Sequence, residues 1–575
     1  MSVLIQNSKF LKNEYRAALL PCMLSILSGC LNILTDGILV GQRIGIDGLA
    51  ALSICVPIYL VLCVIGSFFV AGTSIPASEA IGEDNMEQAQ QYYGTCLVCC
   101  VVASAFATAI GLLWLPSLAV AMAPEENIRI MVQTYAGVTI AGALPKILIY
   151  VPFWYLRLEG KNRSVTAMMA IMGVSNVVLD IVFMYLMNMG VFGAALASVI
   201  ATSCASLFGF IMLHTGHTNF RLRPDLLRTS QEWKRIPVSG SPAALNNFLQ
   251  TIRILAVNAI LYQMGQSTLV AVFTATNGIA AFAEAVTVGV PNAGTAMLGV
   301  YHGERDNGSS RILLKREWQD GVVLAAISGI VIVVFSGAIQ TAYGLGQMSL
   351  FVPMLCLAAS LFPGLWNNMM ISFYNVSCHE ILSDLLIACR VFIFAILSLF
   401  ACKALSISVW LFLPLSECLT ILFWLAATKI ISRRQKNCTR YLLMDTTLEE
   451  SGQVINFTLP GEPDEICSAC EKISEFCSKN GMSPKQYMKI SLSMEEMMTL
   501  IVQVNKGTPV SFDLRVYSLT DSLGIRIRYD GIAFNPVHAK ECKDDAYMGV
   551  RMLDELVNEI LYRKVFGVNT LIISI

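Results

Sequence analysis

Charged residues are scarce in this sequence, and their scarcity excludes a chain built only of soluble domains. Asp, Glu, Lys and Arg make up 14% of the 575 residues, while 55% are hydrophobic. Ordinary soluble domains carry about 25% charged residues. The net charge of −1 averages two unlike regions, so it carries no information about nucleic acid, which we do not expect as a partner.

Several motifs are also missing. The chain has no Gly-x4-Gly-Lys-Ser/Thr, since Gly160-Lys161 lacks the upstream glycine, and a P-loop ATP-driven pump is therefore not supported. The polar start and the span-length first apolar run predict no cleavable signal peptide. The eighteen cysteines form no compact disulfide framework. Cys467, Cys470 and Cys477 fall on one helix face, which favours a packing role over a zinc site.

Long apolar runs dominate the first 435 residues or so. The stretch 321–340 contains no charge and is long enough to cross about 30 Å of hydrocarbon as a helix. Twelve membrane spans are predicted, near 17–40, 49–72, 92–116, 130–155, 164–187, 191–213, 238–262, 268–298, 319–340, 347–374, 381–402 and 406–430.

Landmarks in this array recur at an offset of about 220 positions. The matching pairs are Pro21 and Pro242, Gly45 and Gly265, and Gly82-Glu83 and Gly303-Glu304. Two repeats of six spans each, related by a pseudo-two-fold axis, are the plan of a secondary transporter with its site between the halves. We predict an amino-terminal lobe at 1–220, a carboxy-terminal lobe at 221–435, a linker at 436–451 and a further domain at 452–575.

Basic residues predict the orientation in the membrane. With the amino terminus inside, the inner segments carry most of the Lys and Arg, including Lys9, Lys12, Arg157 and Lys161. Cytoplasmic loops carry such an excess. We therefore predict a multi-pass cell-membrane protein with both termini in the cytoplasm and with membrane lipids as partners.

Charges inside the predicted spans are functional candidates because a buried charge in lipid is costly. They are Asp36, Lys146, Asp180, Arg253, Glu284, Asp384, Arg390 and Glu417. Asp384 and Arg390 lie near a span end, which favours side chains that simply reach water. Asp36 and Asp180 are surrounded by long apolar stretches.

Two of these carboxylates have informative neighbours. Asp36 follows Pro21 on the first span, where the proline favours a kink. Asn176 and Asp180 are four residues apart on the fifth span, so they share a helix face. Two carboxylates with an amide oxygen and a hydroxyl form an oxygen site suited to Na⁺ or a shared proton.

Two long segments resemble a known family. LNILTDGILVGQRIGIDGLAALSICVPI resembles the first-span signature of the multidrug and toxic compound extrusion (MATE) family. RLEGKNRSVTAMMAIMGVSNVVLDIVFMYLMNMGVFGAALASVIA resembles its fourth-to-sixth-span region. The resemblance covers about 1–435. It implies a V-shaped pair of six-helix lobes and export of diverse, often cationic, organic compounds against entry of Na⁺ or H⁺.

The resemblance also implies site residues. Pro21 corresponds to a helix hinge, and Asp36, Asn176, Asp180 and Ser198 correspond to a cation-coupling cluster. Asp36 and Asp180 would be the Na⁺ ligands if coupling uses sodium. No other cofactor is expected, and the substrates would be small organic compounds.

A second branch of the family uses acidic residues on the seventh and tenth spans. This chain has Arg253 on the seventh and Asn367-Asn368 on the tenth, so that site is not expected here. Glu284 on the eighth span either attracts a cationic substrate or forms a salt bridge, for example with Arg253.

These observations favour a cation-coupled antiporter rather than an enzyme. The first alternative is a lipid-linked saccharide flippase of the same superfamily, for which Lys146 and Arg253 are the only basic candidates. The second is a membrane sensor with a nucleotide-binding signalling domain.

The remaining residues predict a small α/β sandwich domain. Strands are predicted at 453–459, 511–518, 522–529 and 569–575. Helices are predicted at 463–480, 484–504 and 547–560.

SLSMEEMMTLIVQVN and YDGIAFNP resemble the ATP-binding fold of histidine kinases and anti-sigma-factor kinases. The resemblance makes Glu496, Asp530, Gly531 and Gly549 remnants of a nucleotide site. Leu500 replaces the asparagine that helps to hold Mg²⁺. We therefore expect a degenerate domain without phosphotransfer activity, which is either a nucleotide sensor or a structural relic. A cytoplasmic protein is a candidate partner for this domain.

Overall fold

The structure is a computed structural model of the chain. It describes residues 9–44, 46–83, 85–122, 126–215, 219–220, 235–342, 349–434, 438–447, 454–479, 483–505, 508–519, 522–532, 534–535, 557–565 and 568–574. Two compact units make up the chain: Ala17–Ile431 is the membrane unit, and Ser432–Ile575 with Met1–Arg16 is the second unit.

Helices make up the membrane unit. Those of the first half are α1 (Lys9–Ile44), α2 (Ile46–Gly82), α3 (Met86–Met122), α4 (Glu126–Ala141), α5 (Ala143–Leu148), α6 (Tyr150–Leu158), α7 (Asn162–Asp180) and α8 (Gly190–His214). Those of the second half are α9 (Arg235–Thr287), α10 (Gly289–Gly303), α11 (Asn307–Val334), α12 (Ser336–Ala342), α13 (Phe351–Val376), α14 (Glu380–Ile387), α15 (Phe394–Ala404) and α16 (Phe412–Arg434).

The outer surfaces of these helices are apolar. On α3, for example, Val102, Phe106, Leu113 and Trp114 are all exposed. Large contiguous apolar surfaces of this kind are normally covered by a membrane or a partner. Among the described residues, nine helices are long and apolar enough to span a membrane, or ten if the bent pair α4 and α5–α6 forms one span.

Two predicted spans are not separated as expected. Residues 263–267, predicted to connect the spans at 238–262 and 268–298, are helical and lie inside α9. The polar residues and the single Gly265 in this segment weaken a helix by no more than about 1 kcal/mol each, too little to break it. The break lies instead at Val288, between α9 and α10.

The bend of 58° between α4 and the helices that follow it occurs at Gly142. A Cβ atom at this position would lie 2.4 Å from Cγ2 of Val199. Glycine therefore allows the bent span to pack directly against α8.

Two short π-helical segments interrupt the membrane helices. Ile181–Leu186 begins directly after Asp180, and Ala388–Ile393 contains Arg390. Segments of this kind are rare in proteins, and those that occur often lie at functional sites. Both charged residues belong to the set singled out in the sequence.

Helix α2 is central to the membrane unit, since it packs against α3 and α4 and also against α9 and α10. It therefore connects the two halves. At this interface, a Cβ atom on Gly72 would lie 2.3 Å from the carbonyl oxygen of Ile236, and one on Gly240 would lie 2.2 Å from that of Phe68. The close approach of α2 and α9 depends on these glycines.

The second unit contains a five-stranded antiparallel sheet. Its strands are β1 (Val454–Pro460), β2 (Ser511–Leu519), β3 (Ser522–Tyr529), β4 (Glu559–Val565) and β5 (Val568–Ser574), in the order β1-β2-β3-β5-β4. Helices α17 (Pro463–Lys479) and α18 (Pro484–Val504) pack with the sheet in one hydrophobic core.

Most of the sequence-based elements of this unit are present, and one is wrong at the end that the structure describes. The helix predicted at 547–560 does not include its last two residues, because Glu559 and Ile560 begin β4. Residues 547–556 of that prediction lie outside the described residues. Hydrogen bonding to β5 overrides the local helical pattern at this point.

Candidate functional site

A cavity of about 320 Å³ lies within the membrane unit, between residues of its two halves. The first half contributes Tyr150, Phe153 and Trp154 from α6. The second half contributes side chains of α9, α10 and α13, among them many amides. Concave sites with apolar walls and a few directed polar groups are typical ligand sites.

An ion pair lines this cavity on the side of the second half. Arg390 Nε lies 2.9 Å from Oε1 and 2.8 Å from Oε2 of Glu417. Asn367 donates to Glu417 Oε2 over 2.7 Å, and Arg390 donates to Oδ1 of Asn368 over 2.6 Å. The pair is largely buried, with 16% and 15% of its side chains exposed. Arg390 therefore does not simply reach water, and that interpretation was wrong.

Arg253 and Glu284 line the same cavity and interact electrostatically. They also line an adjoining cavity of about 90 Å³, together with Arg390 and Glu417. Arg253 Nε has no hydrogen-bond partner among the described residues. The site thus contains two guanidinium groups and two carboxylates, a balance that favours neither simple cations nor simple anions.

A separate polar cluster lies inside the first half. Asn176 and Asp180 of α7 are each 1% exposed, and the Asn176 amide donates to Asp180 Oδ2 over 2.7 Å. The Ser198 hydroxyl of α8 donates to Asn176 Oδ1 over 3.2 Å. The predicted face-sharing of Asn176 and Asp180 is confirmed, and Ser198 joins them.

The other candidate residues of the first half are Pro21, Asp36 and Lys146. Pro21 lies inside α1, as the kink hypothesis requires. Asp36 lies in the same helix, but its side chain is outside the described part of the structure, so its membership of the cluster stays a prediction. Lys146 lines a different cavity, of about 140 Å³, and its ammonium lies 5.3 Å from the centre of the Tyr59 ring.

Glu159 holds the turn between α6 and α7, outside the predicted spans. Its Oε1 accepts hydrogen bonds from the backbone N–H groups of Asn219 (2.8 Å) and Phe220 (3.3 Å). Burial nevertheless raises the pKa of this carboxyl from 4.5 to about 7. Near neutral pH it is therefore close to half-protonated.

Two of the four predicted nucleotide-site remnants make hydrogen bonds within the second unit. Asp530 accepts from the backbone N–H of Ser511 over 2.6 Å, and the carbonyl of Gly531 accepts from Asn569 over 2.9 Å. Glu496 is exposed, while Leu500 belongs to the hydrophobic core. Gly549 lies outside the described residues.

The sequence predicted the packing of two of the cysteines in α17 but not the role of Asn505. Burial raises the pKa of Cys470 and Cys477 to about 11, and both lie in the core, as the packing interpretation predicted. Cys467 is exposed, so that interpretation was wrong for the third cysteine. Asn505 had no signal in the sequence. Its buried side chain accepts from Ile532 N over 2.7 Å and donates to Ile501 O over 2.8 Å.

The membrane unit is similar to known proteins. The family model MatE matches residues 21–186. The FAD transporter of Shewanella oneidensis is 25% identical over 259 residues, which cover 44% of this chain and 57% of that protein. The probable multidrug resistance protein YoeA of Bacillus subtilis is 25% identical over 349 residues, 58% of this chain and 74% of that protein.

A solved structure described as MATE in complex with MaL6 superposes with a TM-score of 0.69. It is 22% identical, and the match covers 73% of this chain and 96% of that one. This likeness shows the fold, which for the membrane unit is that of MATE transporters. The chain spans little more than half the length of the Shewanella protein that it matches.

Proposed function

We propose that this protein is a cation-coupled exporter of organic compounds in the cell membrane, with both termini in the cytoplasm. One observation carries the proposal: a buried oxygen cluster lies in one half of a MATE fold, apart from a ligand-sized cavity between the halves. An antiporter that binds its driving cation and its passenger at separate places uses two such sites.

The cation site consists of Asn176, Asp180 and Ser198, with Asp36 as the proposed second carboxylate. Their carboxylate, amide and hydroxyl oxygens suit Na⁺ or a proton. In the proposed cycle, an entering cation neutralises Asp180. The first helix then changes its bend at Pro21, the halves rearrange and the substrate leaves. Coupling requires that the cation and the substrate differ in affinity between the two conformations.

The passenger site is the cavity lined by Arg253, Glu284, Arg390 and Glu417. Because Arg390 and Glu417 bind each other, Arg253 and Glu284 are the charged groups left to meet a substrate. Tyr150, Phe153 and Trp154 offer flat apolar surfaces beside them. This combination suits planar organic compounds that carry a charged group.

Efflux measured in vesicles under a Na⁺ gradient and a pH gradient, each imposed separately, tests the proposal. Asp180→Asn should abolish dye efflux driven by the effective gradient while the protein still inserts and binds dye. Asp36→Asn should do the same. Asp384→Asn is the matched control, because Asp384 accepts a hydrogen bond from Ser241 and lies outside the cluster. Wild-type efflux in Asp180→Asn would refute the cation site.

Two observations favour a second candidate, the export of planar anionic compounds such as flavin nucleotides. Arg253 Nε is unpaired among the described residues, and one relative is described as a FAD transporter. Arg253→Gln should then weaken flavin-nucleotide binding by at least about tenfold and leave cationic dyes little affected. Equal losses for both ligands would exclude this candidate.

A lipid-linked saccharide flippase has less support. It needs a basic central cavity, but Lys146 lines a different cavity, and Arg253 shares the central one with the carboxylates of Glu284 and Glu417.

A role for the second unit in signalling or regulation is a separate question. We propose that this unit is a degenerate nucleotide-binding or protein-binding module that regulates transport. Labelled ATP binding to the full chain, with Mg²⁺ present and absent, tests this. Mg²⁺-dependent turnover would overturn the assignment.

A further inference from the structure

Three side chains with metal-binding atoms meet at one end of the membrane unit. Glu79 lies near the end of α2, His302 near the end of α10, and Cys378 in the turn between α13 and α14. Glu79 Oε1 lies 3.4 Å from Cys378 Sγ and 3.9 Å from His302 Nε2. All three ligand atoms lie within 4.8 Å of one another.

These distances are close to those of a tetrahedral zinc site. Bonds of about 2.0–2.3 Å from zinc to oxygen, nitrogen and sulfur place neighbouring ligand atoms about 3.3–3.7 Å apart. The oxygen–sulfur distance already falls in this range, and the oxygen–nitrogen distance exceeds it by a few tenths of an ångström. No other three acidic, His or Cys side chains in the described part of the chain meet in this way.

Arg235, at the start of α9, supports two of the ligands. Its guanidinium donates to Glu79 Oε2 and, over 3.5 Å, to Cys378 Sγ. Glu79 Oε1 is therefore the oxygen that faces the other two ligand atoms. Groups that orient metal ligands from outside the coordination sphere in this manner typically change affinity 10–100-fold.

His302 lies just beyond the predicted span 268–298, and its Nε2 lies 3.9 Å from Glu79 Oε1. A metal binds to the lone pair of a neutral imidazole nitrogen.

Cys378 follows the end of α13 in its capping turn, where the N–H of His379 donates to the carbonyl of Tyr374 over 3.0 Å. Its φ angle is 56°, in the left-handed region where the residue after a helix end is usually Gly or Asn. In this conformation the thiol donates to Glu79 Oε1. A metal would replace that thiol proton, which leaves to solvent, and would bond to sulfur and oxygen in its place.

We propose that Glu79, His302 and Cys378 bind a zinc-like divalent cation that clamps the two halves of the membrane unit together. Glu79 belongs to the first half, and His302 and Cys378 belong to the second. A soft thiolate with imidazole and carboxylate selects Zn²⁺ over Mg²⁺ or Ca²⁺. The cation binds only where these helix ends meet, so it stabilises this conformation.

The site is tested first by metal binding alone, with Co²⁺ as the spectroscopic probe for zinc in the purified full chain. We expect a thiolate-to-cobalt absorption band in the wild type that decreases in Cys378→Ser and in His302→Gln. Affinity should fall at least about tenfold in each. Matched controls are Cys418→Ser, an exposed thiol elsewhere, and His379→Gln, a neighbouring imidazole.

Unchanged Co²⁺ spectra and affinities in Cys378→Ser and His302→Gln would overturn the proposal. So would equal losses in the two control variants. Each variant is compared with the wild type, so the contribution of other thiols to the cobalt absorption is subtracted. A Zn²⁺-induced rise in melting temperature that disappears in both ligand variants is the second supporting measurement, and its persistence in them would contradict the site.

The effect on transport rests on the proposed function, whereas the binding site does not. Micromolar Zn²⁺ should inhibit dye efflux in wild-type vesicles, and Cys378→Ser should require at least about tenfold more Zn²⁺ for the same inhibition. Absence of dye efflux under any gradient would contradict the proposed function alone. If Zn²⁺ inhibits efflux equally in the wild type and in Cys378→Ser, the proposed metal clamp is contradicted and the proposed export function is not.

Discussion

Gly82 and Gly303 stand 221 positions apart in the sequence, and they pack directly against each other. A Cβ atom on Gly82 would lie 2.9 Å from Cα of Gly303 and 2.3 Å from the carbonyl oxygen of Val300. A Cβ atom on Gly303 would lie 2.3 Å from the carbonyl oxygen of Glu79. The repeat therefore places two equivalent glycines at one crossing of α2 and α10.

Gly303→Ala should destabilise this arrangement of the halves. The added methyl group meets backbone atoms, so rotation of a side chain cannot relieve the clash, and overpacking of this kind costs about 1–3 kcal/mol. We expect a lower melting temperature in detergent. Gly173→Ala in α7 is the matched control, because nothing lies within 4 Å of its Cβ. Equal melting temperatures in both variants would contradict the close packing.

Removing one member of the Arg390–Glu417 pair should cost more than removing both. Glu417→Leu leaves a guanidinium without its carboxylate in a largely buried site, a loss on the order of 3 kcal/mol. In the double variant with Arg390→Met no charge is stranded. Melting temperatures of the two single variants and the double variant form a cycle that measures the coupling. Additive losses would show that the pair is not coupled.

The carboxyl of Glu159 should make stability depend on pH. Its folded pKa of about 7 lies above the ordinary 4.5, so the folded state binds the proton more tightly. The stabilising contribution is complete below pH 4.5 and is lost as pH rises through 7.

Glu159→Gln keeps the Oε1 acceptor without the charge. At pH 8 it should therefore be more stable than the wild type, on the order of 2 kcal/mol. This advantage should shrink toward pH 5. Melting temperatures at both pH values, with the exposed Glu87→Gln as control, provide the measurement. An advantage of Glu159→Gln that does not vary with pH would contradict the assignment.

Asn505→Ala should destabilise the second unit. The change removes the acceptor of the Ile532 N–H, and a hydrogen bond of this kind contributes about 0.5–1.5 kcal/mol. Proteolysis of the full chain should then cut the second unit at lower temperature. Asn558→Ala, at an exposed position, is the control. Equal protease resistance in the two variants would show that the hydrogen bond between Asn505 and Ile532 does not stabilise the second unit.

Local patterns predicted much of what the structure contains. The four-residue spacing of Asn176 and Asp180 predicted their shared face, and the 2.7 Å hydrogen bond agrees with it. Alternating apolar residues predicted the strands now seen as β2 and β3. The period of a helix or a strand shows in the spacing of apolar residues that are close in sequence. Short segments are therefore enough to predict these elements.

Predictions that depended on contacts between residues far apart in the sequence were less accurate. Arg390 is near a span end in sequence, but Glu417, 27 positions away, holds it in the cavity. Strand β4 was predicted to be helical at Glu559 and Ile560, and only pairing with β5 made them a strand. The two spans expected around 263–267 are joined in α9, since no residue there stops a helix.

By itself, the sequence determined the membrane helices, the internal repeat and the polar residues placed inside apolar spans. These follow from the cost of exposing polar groups to lipid, which acts on each segment separately. Only the tertiary structure decided which charges pair and that Glu79, His302 and Cys378 meet. Those contacts join residues up to 299 positions apart, and no local pattern records the packing that brings them together.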